Sequence, residues 1–394
     1  REGNQKELGE MVKKAKENLA TRYSYQSRYY GDVNELKVSI LDKTVIPHQV
    51  EVQPGPIGGD ICWLKCPYCY GHTAQDSGER LTPERYVEIM TQIAEGGVKK
   101  VIFAGYATDP LFYNHIEDIV QVALDYNQIT GFHTKAINIS DRLAKQITAA
   151  SIAPLSYFSI SVDSGNNETY NKVHGVPQSQ AKLYDKVIAN ISKLVEERSK
   201  TDAPLDISAT YLLNPLNNSS DEVLKSIHDL RNAGVDLIRF TFPQVPRGYS
   251  VNTNDPNIPS KDQITEYMKR LRPLIEKEND SQCQVLILDL DGMHDVYEVP
   301  RSLPCFARYI FPSIGFDGWL SHCSESAAPH FRGLAMGNLQ EQDFWDVFYN
   351  YDVEDFKRGM SVSCGKMEQL NCKCDRKEHV VNSRLKESGV FDGI

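Results

Sequence analysis

Between about residues 50 and 295, short apolar segments alternate regularly with longer amphipathic ones, and this alternation constrains the fold more than any other feature. The short segments contain continuous apolar runs, such as VIFA (101–104) within KKVIFAG, as strands buried on both faces do. The longer ones have helical periodicity and caps, and LTPERYVEIMTQIAEGG (81–97) begins with Thr82 and Pro83 and ends at glycine. Six or seven such units predict an α/β fold, a partial (β/α)6-type TIM barrel, with a doubly wound open sheet as the alternative.

The alternation defines three predicted regions. Residues 1–48 form an N-terminal helical extension, with an amphipathic helix over 5–30, and residues 49–298 form the barrel. Residues 299–394 have few long apolar runs but hold five of the nine cysteines. So small a segment is marginally stable alone, so we expect a metal-stapled α+β domain there.

Composition narrows the class of protein. The 394 residues carry a net charge of −10, which argues against a nucleic-acid surface, because phosphate binding needs clustered Lys and Arg. The sequence has neither an apolar run long enough to span a membrane nor an N-terminal apolar signal core, so we expect a cytoplasmic protein without a membrane partner. Nine cysteines, an odd number in two clusters, suit metal or redox sites better than a disulfide framework.

The first cluster, CWLKCPYCYG (62–71), places Cys62, Cys66 and Cys69 in a loop after the first strand, at the edge where barrel enzymes keep their chemistry. A structural zinc site normally has four protein ligands. A [4Fe–4S] cluster held by three cysteines would leave one iron open for a substrate or cofactor. From the residues alone, a zinc loop or a purely structural cluster remains the alternative.

CWLKCPYC resembles the C-x3-C-x-(aromatic)-C signature of the radical S-adenosylmethionine (SAM) enzymes. The resemblance implies that the three cysteines hold a [4Fe–4S] cluster whose unique iron binds SAM, and that Tyr68 lies against the adenine. It also implies reductive cleavage of SAM to a 5′-deoxyadenosyl radical, which takes a hydrogen atom from substrate, with a reductant such as flavodoxin or ferredoxin as partner.

The same resemblance suggests further SAM-binding residues. FAGYATDPLF stands where the family has a glycine-rich stretch for the methionine amino group, although the double glycine is absent. HTKAINIS and SISVD occupy the places of strands that contact the ribose and carboxylate. For each residue, an ordinary structural polar role is the alternative. The candidates are Gly105, Thr108, Asp109, Lys135, Asn138, Ser140, Ser161 and Asp163.

The tail resembles the SPASM and twitch extensions found after many radical SAM barrels. CFARYIFPSIGFDGWLSHC (305–323) reads as a hairpin whose two strands each deliver one thiolate, with Gly318 in the turn. GLAMGNLQEQDFWDVF resembles the Gly-Asn-(aliphatic) plus helix element usual in those extensions, and CGKMEQLNCKC supplies three more cysteines. Five cysteines are too few for two fully ligated clusters, so we expect one auxiliary [4Fe–4S] cluster, with zinc as the alternative. Its predicted ligands are Cys305, Cys323, Cys372 and Cys374, with Cys364 as alternate.

A layout with one auxiliary cluster implies an oxidoreductase or epimerase acting on a small polar natural product. A peptide-modifying maturase (cross-link, thioether or epimerisation) is the first alternative, and a non-radical Fe–S electron carrier is the second. Epimerisation needs a thiol hydrogen donor, for which Cys283 and Cys364 are candidates, although Cys283 also suits a plain core position. Substrate candidates at the strand ends are Tyr211, Asn214, Arg239, Thr241, Asp289 and Asp291.

Overall fold

A computed structural model gives the fold of this chain. It describes residues 31–58, 60–69, 76–105, 108–177, 182–243, 256–288, 305–357, 367, 369–370, 372, 374 and 376–392. The helix predicted over 5–30 and the candidates Cys364, Asp289 and Asp291 lie outside the described residues.

The predicted α/β fold with a mostly parallel, open sheet is confirmed. Seven consecutive strands pair in parallel, each with the next along the chain, which is the arrangement of a partial TIM barrel. Their bounds are β1 Val50–Val52, β2 Lys100–Phe103, β3 Ile129–Thr134, β4 Tyr157–Ser161, β5 Asp206–Leu212, β6 Leu237–Thr241 and β7 Gln284–Ile287.

The helices between these strands begin and end where their cap residues predict. Thr82 accepts a hydrogen bond from the Arg85 N–H at the start of α2, and Ser260 begins α8 with a reciprocal capping box. Gly234 ends α7 in the left-handed region, with φ at 88°. The bounds are α1 Val33–Leu41, α2 Pro83–Glu95, α3 Ile116–Asp125, α4 Asp141–Ile147, α5 Asn167–Val173, α6 Leu183–Thr201, α7 Ser220–Ala233 and α8 Lys261–Lys277.

The two faces of the parallel sheet differ in chemistry. On one face Phe103, Phe132 and Phe158 stack at ring distances of 5.0 and 5.1 Å and join a core shared with the helices. On the opposite, inner face Thr210 lies directly between Ser161 and Arg239 in the strand register. The apolar face stabilises the fold, and the polar inner face is available for a ligand.

The tail continues this sheet at the β1 edge. Strand β8 pairs in parallel with β1, and β9 and β10 follow antiparallel, giving a ten-stranded sheet. The predicted hairpin is confirmed, with Gly318 at its turn at a φ of 82°. The tail elements are α9 Ala307–Ile310, β8 Ser313–Ile314, β9 Trp319–Ser321, β10 Gly337–Asn338, α10 Phe344–Phe348, α11 Val353–Lys357 and α12 Arg376–Glu387.

One detail of the predicted hairpin is wrong. Cys305 precedes α9 and therefore lies outside the hairpin strands, while Cys323 follows β9 closely. Because α9 intervenes, Cys305 reaches the region from a helix start rather than from a strand. In the described part of the chain, no helix has the length and apolarity needed to cross a membrane.

Candidate active site

The cysteine loop lies beyond the carboxyl end of β1. Cys66 is 7% exposed, and Cys62 and Cys69 are half-buried. The Cys69 N–H donates to the Cys66 carbonyl at 2.9 Å, which turns the loop between these two ligands. Burial raises the pKa of Cys62 and Cys66 to about 12, so a positive group is needed to hold these sulfurs as thiolates. Iron would supply that charge, and three neighbouring thiols on one loop fit the [4Fe–4S] cluster expected there.

The segment after β4 that contains His174 and Gly175 packs against this loop. The imidazole Nδ1 of His174 lies 3.5 Å from Cys66 Sγ, and the His174 carbonyl accepts the Lys65 N–H at 3.0 Å. Gly175 follows with φ at 56°, and a Cβ there would lie 2.1 Å from the Lys65 carbonyl oxygen. Only glycine satisfies both conditions. Sequence reasoning missed this contact, because the segment reaches the loop only once α5 has folded back.

A buried polar cluster lies beside the loop. Lys135 Nζ donates to Asp163 Oδ2 at 2.9 Å and to the Tyr68 hydroxyl at 3.2 Å, and that hydroxyl donates to Asp163 Oδ2 at 2.8 Å. Burial acts to raise the pKa of Asp163, but Lys135 and the Leu212 N–H hold it below its ordinary value. Asp163 is therefore a carboxylate and Lys135 a cation at neutral pH. The structure brings the predicted residues Tyr68, Lys135 and Asp163 together.

The Asp109 carboxylate accepts hydrogen bonds that stabilise a backbone turn. It accepts from Thr134 Oγ1 at 2.7 Å, the Lys135 N–H at 2.6 Å and the Leu111 N–H at 2.9 Å. Asp109 thereby caps the short 3₁₀ helix Pro110–Phe112, the structural alternative considered for this stretch. Burial nevertheless raises the pKa of Asp109. Binding of the SAM amino group by Asp109 stays a prediction.

The remaining SAM-binding candidates separate into two groups. Gly105 and Thr108 form the tight turn before Asp109, since a Cβ on Gly105 would lie 1.8 Å from the Thr108 carbonyl oxygen. Asn138 and Ser140 are exposed and point to helices, because Asn138 accepts from Lys186 and Ser140 caps α4. The structure does not bring these two side chains into the polar cluster.

The substrate candidates on β5 have structural partners. The Tyr211 hydroxyl donates to the Asn217 carbonyl at 2.7 Å, and Asn214 bonds to the backbone of its own turn. Asn217, which sequence reasoning missed, donates through Nδ2 to the Asp163 carbonyl at 2.9 Å. These predictions are corrected, since Tyr211 and Asn214 are wholly buried and build the turn that holds Asp163.

The substrate candidates on β6, Arg239 and Thr241, differ from those on β5 in burial and in hydrogen-bond partners. The Arg239 guanidinium is half-buried on the inner face and donates to Thr210 Oγ1 at 3.2 Å. Thr241 is 3% exposed at the end of the strand. Arg239 therefore keeps its place among the substrate candidates.

The structure favours the alternative role of Cys283, a plain core position, over that of a hydrogen-atom donor. This thiol directly precedes β7, at the amino end of a parallel strand, whereas the cysteine loop lies beyond the carboxyl ends. Its Sγ lies 3.9 Å from the Gln284 carbonyl oxygen, and the side chain is 2% exposed. Cys283 is a core residue.

The described tail cysteines are all more than nine-tenths buried. Burial raises the pKa of Cys323, as do the nearby Glu378, Cys372 and Cys305. Asn382 donates to Cys374 Sγ at 3.5 Å and accepts the Phe306 N–H at 2.8 Å, so it links the two ends of the tail. Among the described residues, no three His, Cys, Asp or Glu side chains are grouped to hold one metal ion. A [4Fe–4S] cluster binds each thiolate at a separate iron, so its ligands lie farther apart than the ligands of a single metal ion. The buried tail thiols suit such a cluster.

Comparisons with known proteins agree with this site. The family model described as "Radical SAM superfamily" matches residues 57–205, which include the cysteine loop and β2 to β4. A Methanosarcina mazei protein named "Probable GTP 3',8-cyclase" is 25% identical over 257 residues, 59% of this chain and 73% of that protein. A PqqA peptide cyclase of Bradyrhizobium diazoefficiens is 25% identical over 167 residues, 42% of this chain and 40% of that protein.

Solved structures share the fold. SuiB of Streptococcus suis, solved bound to S-adenosylmethionine, superposes with a TM-score of 0.56 at 17% identity, covering 88% of this chain and 77% of SuiB. Residues 57–205 thus form a radical SAM domain.

Proposed function

We propose that this chain is a radical SAM oxidoreductase that oxidises a small polar substrate at the inner face of the sheet. The observation that carries the proposal is the three-thiol loop beside the buried Lys135–Asp163 pair. When bound, the [4Fe–4S] cluster and SAM supply reductive cleavage to a 5′-deoxyadenosyl radical, which abstracts a hydrogen atom. The protein supplies position, charge and exclusion of water.

Lys135 is proposed to bind the carboxylate of SAM. Its ammonium side chain is 15% exposed, so one side is buried against Asp163 and the other remains open to a ligand. Asp163 keeps this cation charged and oriented, and Tyr68 holds the cysteine loop against both. Ser161, at the carboxyl end of β4, offers a partly exposed hydroxyl for the ribose.

The inner face of the sheet is proposed as the substrate site. Ser161, Thr210 and Arg239 lie side by side in register, and their hydroxyl and guanidinium groups suit a substrate rich in oxygen atoms. The GTP 3',8-cyclase relatives are named for a small polar molecule, which supports the same class.

Oxidation is favoured over epimerisation. Epimerisation needs a thiol hydrogen donor near the substrate. Of the two candidate donors, Cys283 lies at the amino edge of the sheet, and Cys364 lies outside the described residues. The buried tail cysteines suit an auxiliary [4Fe–4S] cluster, which would supply a one-electron acceptor for the second half of a two-electron oxidation.

Peptide modification is the second candidate. It is favoured by the similarity to PqqA peptide cyclase, whose printed name states a peptide substrate. A peptide would use the same cysteine loop and the same Lys135–Asp163 pair, so the two candidates differ only in what occupies the inner face.

The radical chemistry is tested on anaerobically reconstituted protein. Adding SAM to the dithionite-reduced protein is expected to change the EPR signal and to yield 5′-deoxyadenosine and methionine. Omission of dithionite is the control. An unchanged EPR signal without 5′-deoxyadenosine would mean that the chain is an Fe–S electron carrier.

The substrate class is tested by isotope transfer. Deuterated nucleotides, cyclitols and amino sugars form one panel, and deuterated peptides form the other. Deuterium in 5′-deoxyadenosine from the first panel alone supports the proposal, and transfer from the peptides alone supports the second candidate. With a reactive small substrate, Arg239→Met is expected to raise KM more strongly than Arg239→Lys, because lysine keeps the positive charge.

A further inference from the structure

The tail buries an arginine that has no carboxylate partner among the described residues. Arg308, in α9, is 9% exposed. Its Nη2 donates to the Phe348 carbonyl at 3.4 Å, and its Nε is buried without a hydrogen-bond acceptor. The guanidinium carbon lies 5.3 and 5.0 Å from the ring centroids of Tyr309 and Tyr351. Among the described residues, no carboxylate oxygen lies within 4 Å of this guanidinium.

These contacts compensate the buried charge only in part. A cation–π contact stabilises a buried cation by much less than an unpaired buried ion costs. An arginine stays protonated in proteins, so it cannot escape this cost by losing its proton. The buried Arg308 guanidinium therefore needs an anionic partner that the described side chains do not provide.

The neighbouring groups indicate which anion this is. Arg308 lies in the first turn of α9, three residues after Cys305, which precedes that helix. Burial lowers the pKa of Arg308, and the groups that raise it are Tyr309, Tyr351 and Cys305. Burial also raises the pKa of Tyr351, so this phenol is neutral at physiological pH. A thiol that binds iron is deprotonated, which makes Cys305 the acidic neighbour that becomes negative on metal binding.

We propose that Arg308 is the counter-cation of the iron–sulfur cluster bound by Cys305 and the other tail cysteines. This inference rests on the auxiliary cluster of the proposed function and assigns a residue that raises the reduction potential of that cluster. A nearby cation stabilises the reduced cluster, which is the more negative form, and therefore raises its reduction potential. Arg308 thus favours acceptance of an electron at the tail.

The test compares Arg308→Met with Arg308→Lys in the full reconstituted chain. EPR-monitored redox titration follows the tail cluster, whose signal is identified because SAM perturbs only the loop cluster. In Arg308→Met, the reduced-to-oxidised ratio at a fixed potential is expected to fall about tenfold, equivalent to about 59 mV for one electron. Arg308→Lys is expected to retain most of the wild-type ratio.

Thermal unfolding provides a second readout, because the effect of Arg308→Met on stability is expected to differ between the iron-free and the cluster-bound protein. Without iron, Arg308→Met is expected to be at least as stable as the wild type, because it removes an unpaired buried charge. With both clusters bound, the same variant is expected to melt below the wild type. Arg332→Met is the matched control, since Arg332 has its own carboxylate partner in Asp317 and should lose stability in both states.

The outcomes separate this inference from the proposed function. An unchanged potential, with equal destabilisation in both states, would make Arg308 a purely structural residue and overturn the inference. A wild-type chain with about four rather than eight iron atoms, and SAM cleavage intact, would remove the auxiliary cluster and the role of Arg308 with it. Radical SAM activity would stand in both cases. If Arg308→Met does not fold, an unchanged potential in Arg308→Gln overturns the inference equally.

Discussion

The two cysteine regions of this chain differ in burial and in their neighbours. In the loop after β1, Cys62 and Cys69 are half-buried, and a polar cluster of Lys135, Asp163 and Tyr68 lies alongside. In the tail, the exposures of Cys305, Cys323, Cys372 and Cys374 range from 3 to 6%.

Under the proposed function, this difference in burial suits a different role for each region. A cluster that binds SAM would need an accessible iron and charged groups to orient the ligand, and half-buried thiols beside Lys135 and Asp163 suit that role. A cluster that only exchanges electrons works while fully buried, because electrons do not need an open coordination position. The tail, with four buried thiols and one buried arginine, matches the second requirement.

The largest expected effect comes from removing one thiolate from each region. Cys66→Ala should reduce 5′-deoxyadenosine formation to background, because the SAM-binding cluster loses one of its three ligands. Cys323→Ala should lose the second EPR signal but keep SAM cleavage. Iron analysis and product chromatography measure both effects. Cys283→Ala is the matched control, since this thiol lies at the opposite edge of the sheet and should change neither. Loss of SAM cleavage in Cys323→Ala would erase the functional distinction between the regions.

The charged pair beside the cysteine loop, Lys135 and Asp163, is also expected to stabilise the folded chain. Asp163→Asn removes the partner of a buried lysine and is expected to lower the free energy of unfolding by about 3 kcal/mol. Denaturant unfolding of the iron-free protein measures this loss. Glu168→Gln is the control, because its partner Lys172 is exposed and no measurable change is expected. Equal stability of Asp163→Asn and the wild type would mean that the Lys135–Asp163 pair is not structurally required.

The backbone behind the loop gives a smaller effect. Gly175→Ala combines an unfavourable positive φ with a contact of 2.1 Å to the Lys65 carbonyl, so we expect a loss of about 2–3 kcal/mol. Gly78→Ala has a similar φ of 76° but no atom within 4 Å, so it isolates the backbone term at about 1 kcal/mol. Iron incorporation into the loop should fall only in Gly175→Ala, because only that variant displaces the residue before Cys66. Equal losses in both variants would show that the close contact has no energetic role.

Much of this comparison could be predicted from the sequence, because its signals are local. Periodicity predicts the strands and helices, and the spacing of Cys62, Cys66 and Cys69 predicts the loop chemistry. Lys135 and Asp163 follow neighbouring strands, whose carboxyl ends meet at one edge.

What could not be predicted depends on contacts between distant segments. His174 reaches Cys66 across 108 residues, and the tail strand β8 pairs with β1 across more than 250. Periodicity carries no information on such pairings. It also does not show which end of β7 carries Cys283 relative to the loop, because that depends on the common direction of the parallel strands.

The smallest expected effect concerns His48, which lies where the two regions join. Its ring packs edge-on against Phe311 of the tail at 6.3 Å, two residues before β1. Burial, followed by the charge of Lys100, lowers its pKa to about 4. The unfolded chain binds a proton below about pH 6.5, whereas the folded chain does not until about pH 4, so stability falls as the pH falls through this window. Between pH 7.5 and 5 the wild type is therefore expected to lose about 1–2 kcal/mol more than His48→Gln, measured by denaturant unfolding. A His48→Gln profile parallel to the wild type would mean that this junction does not sense pH.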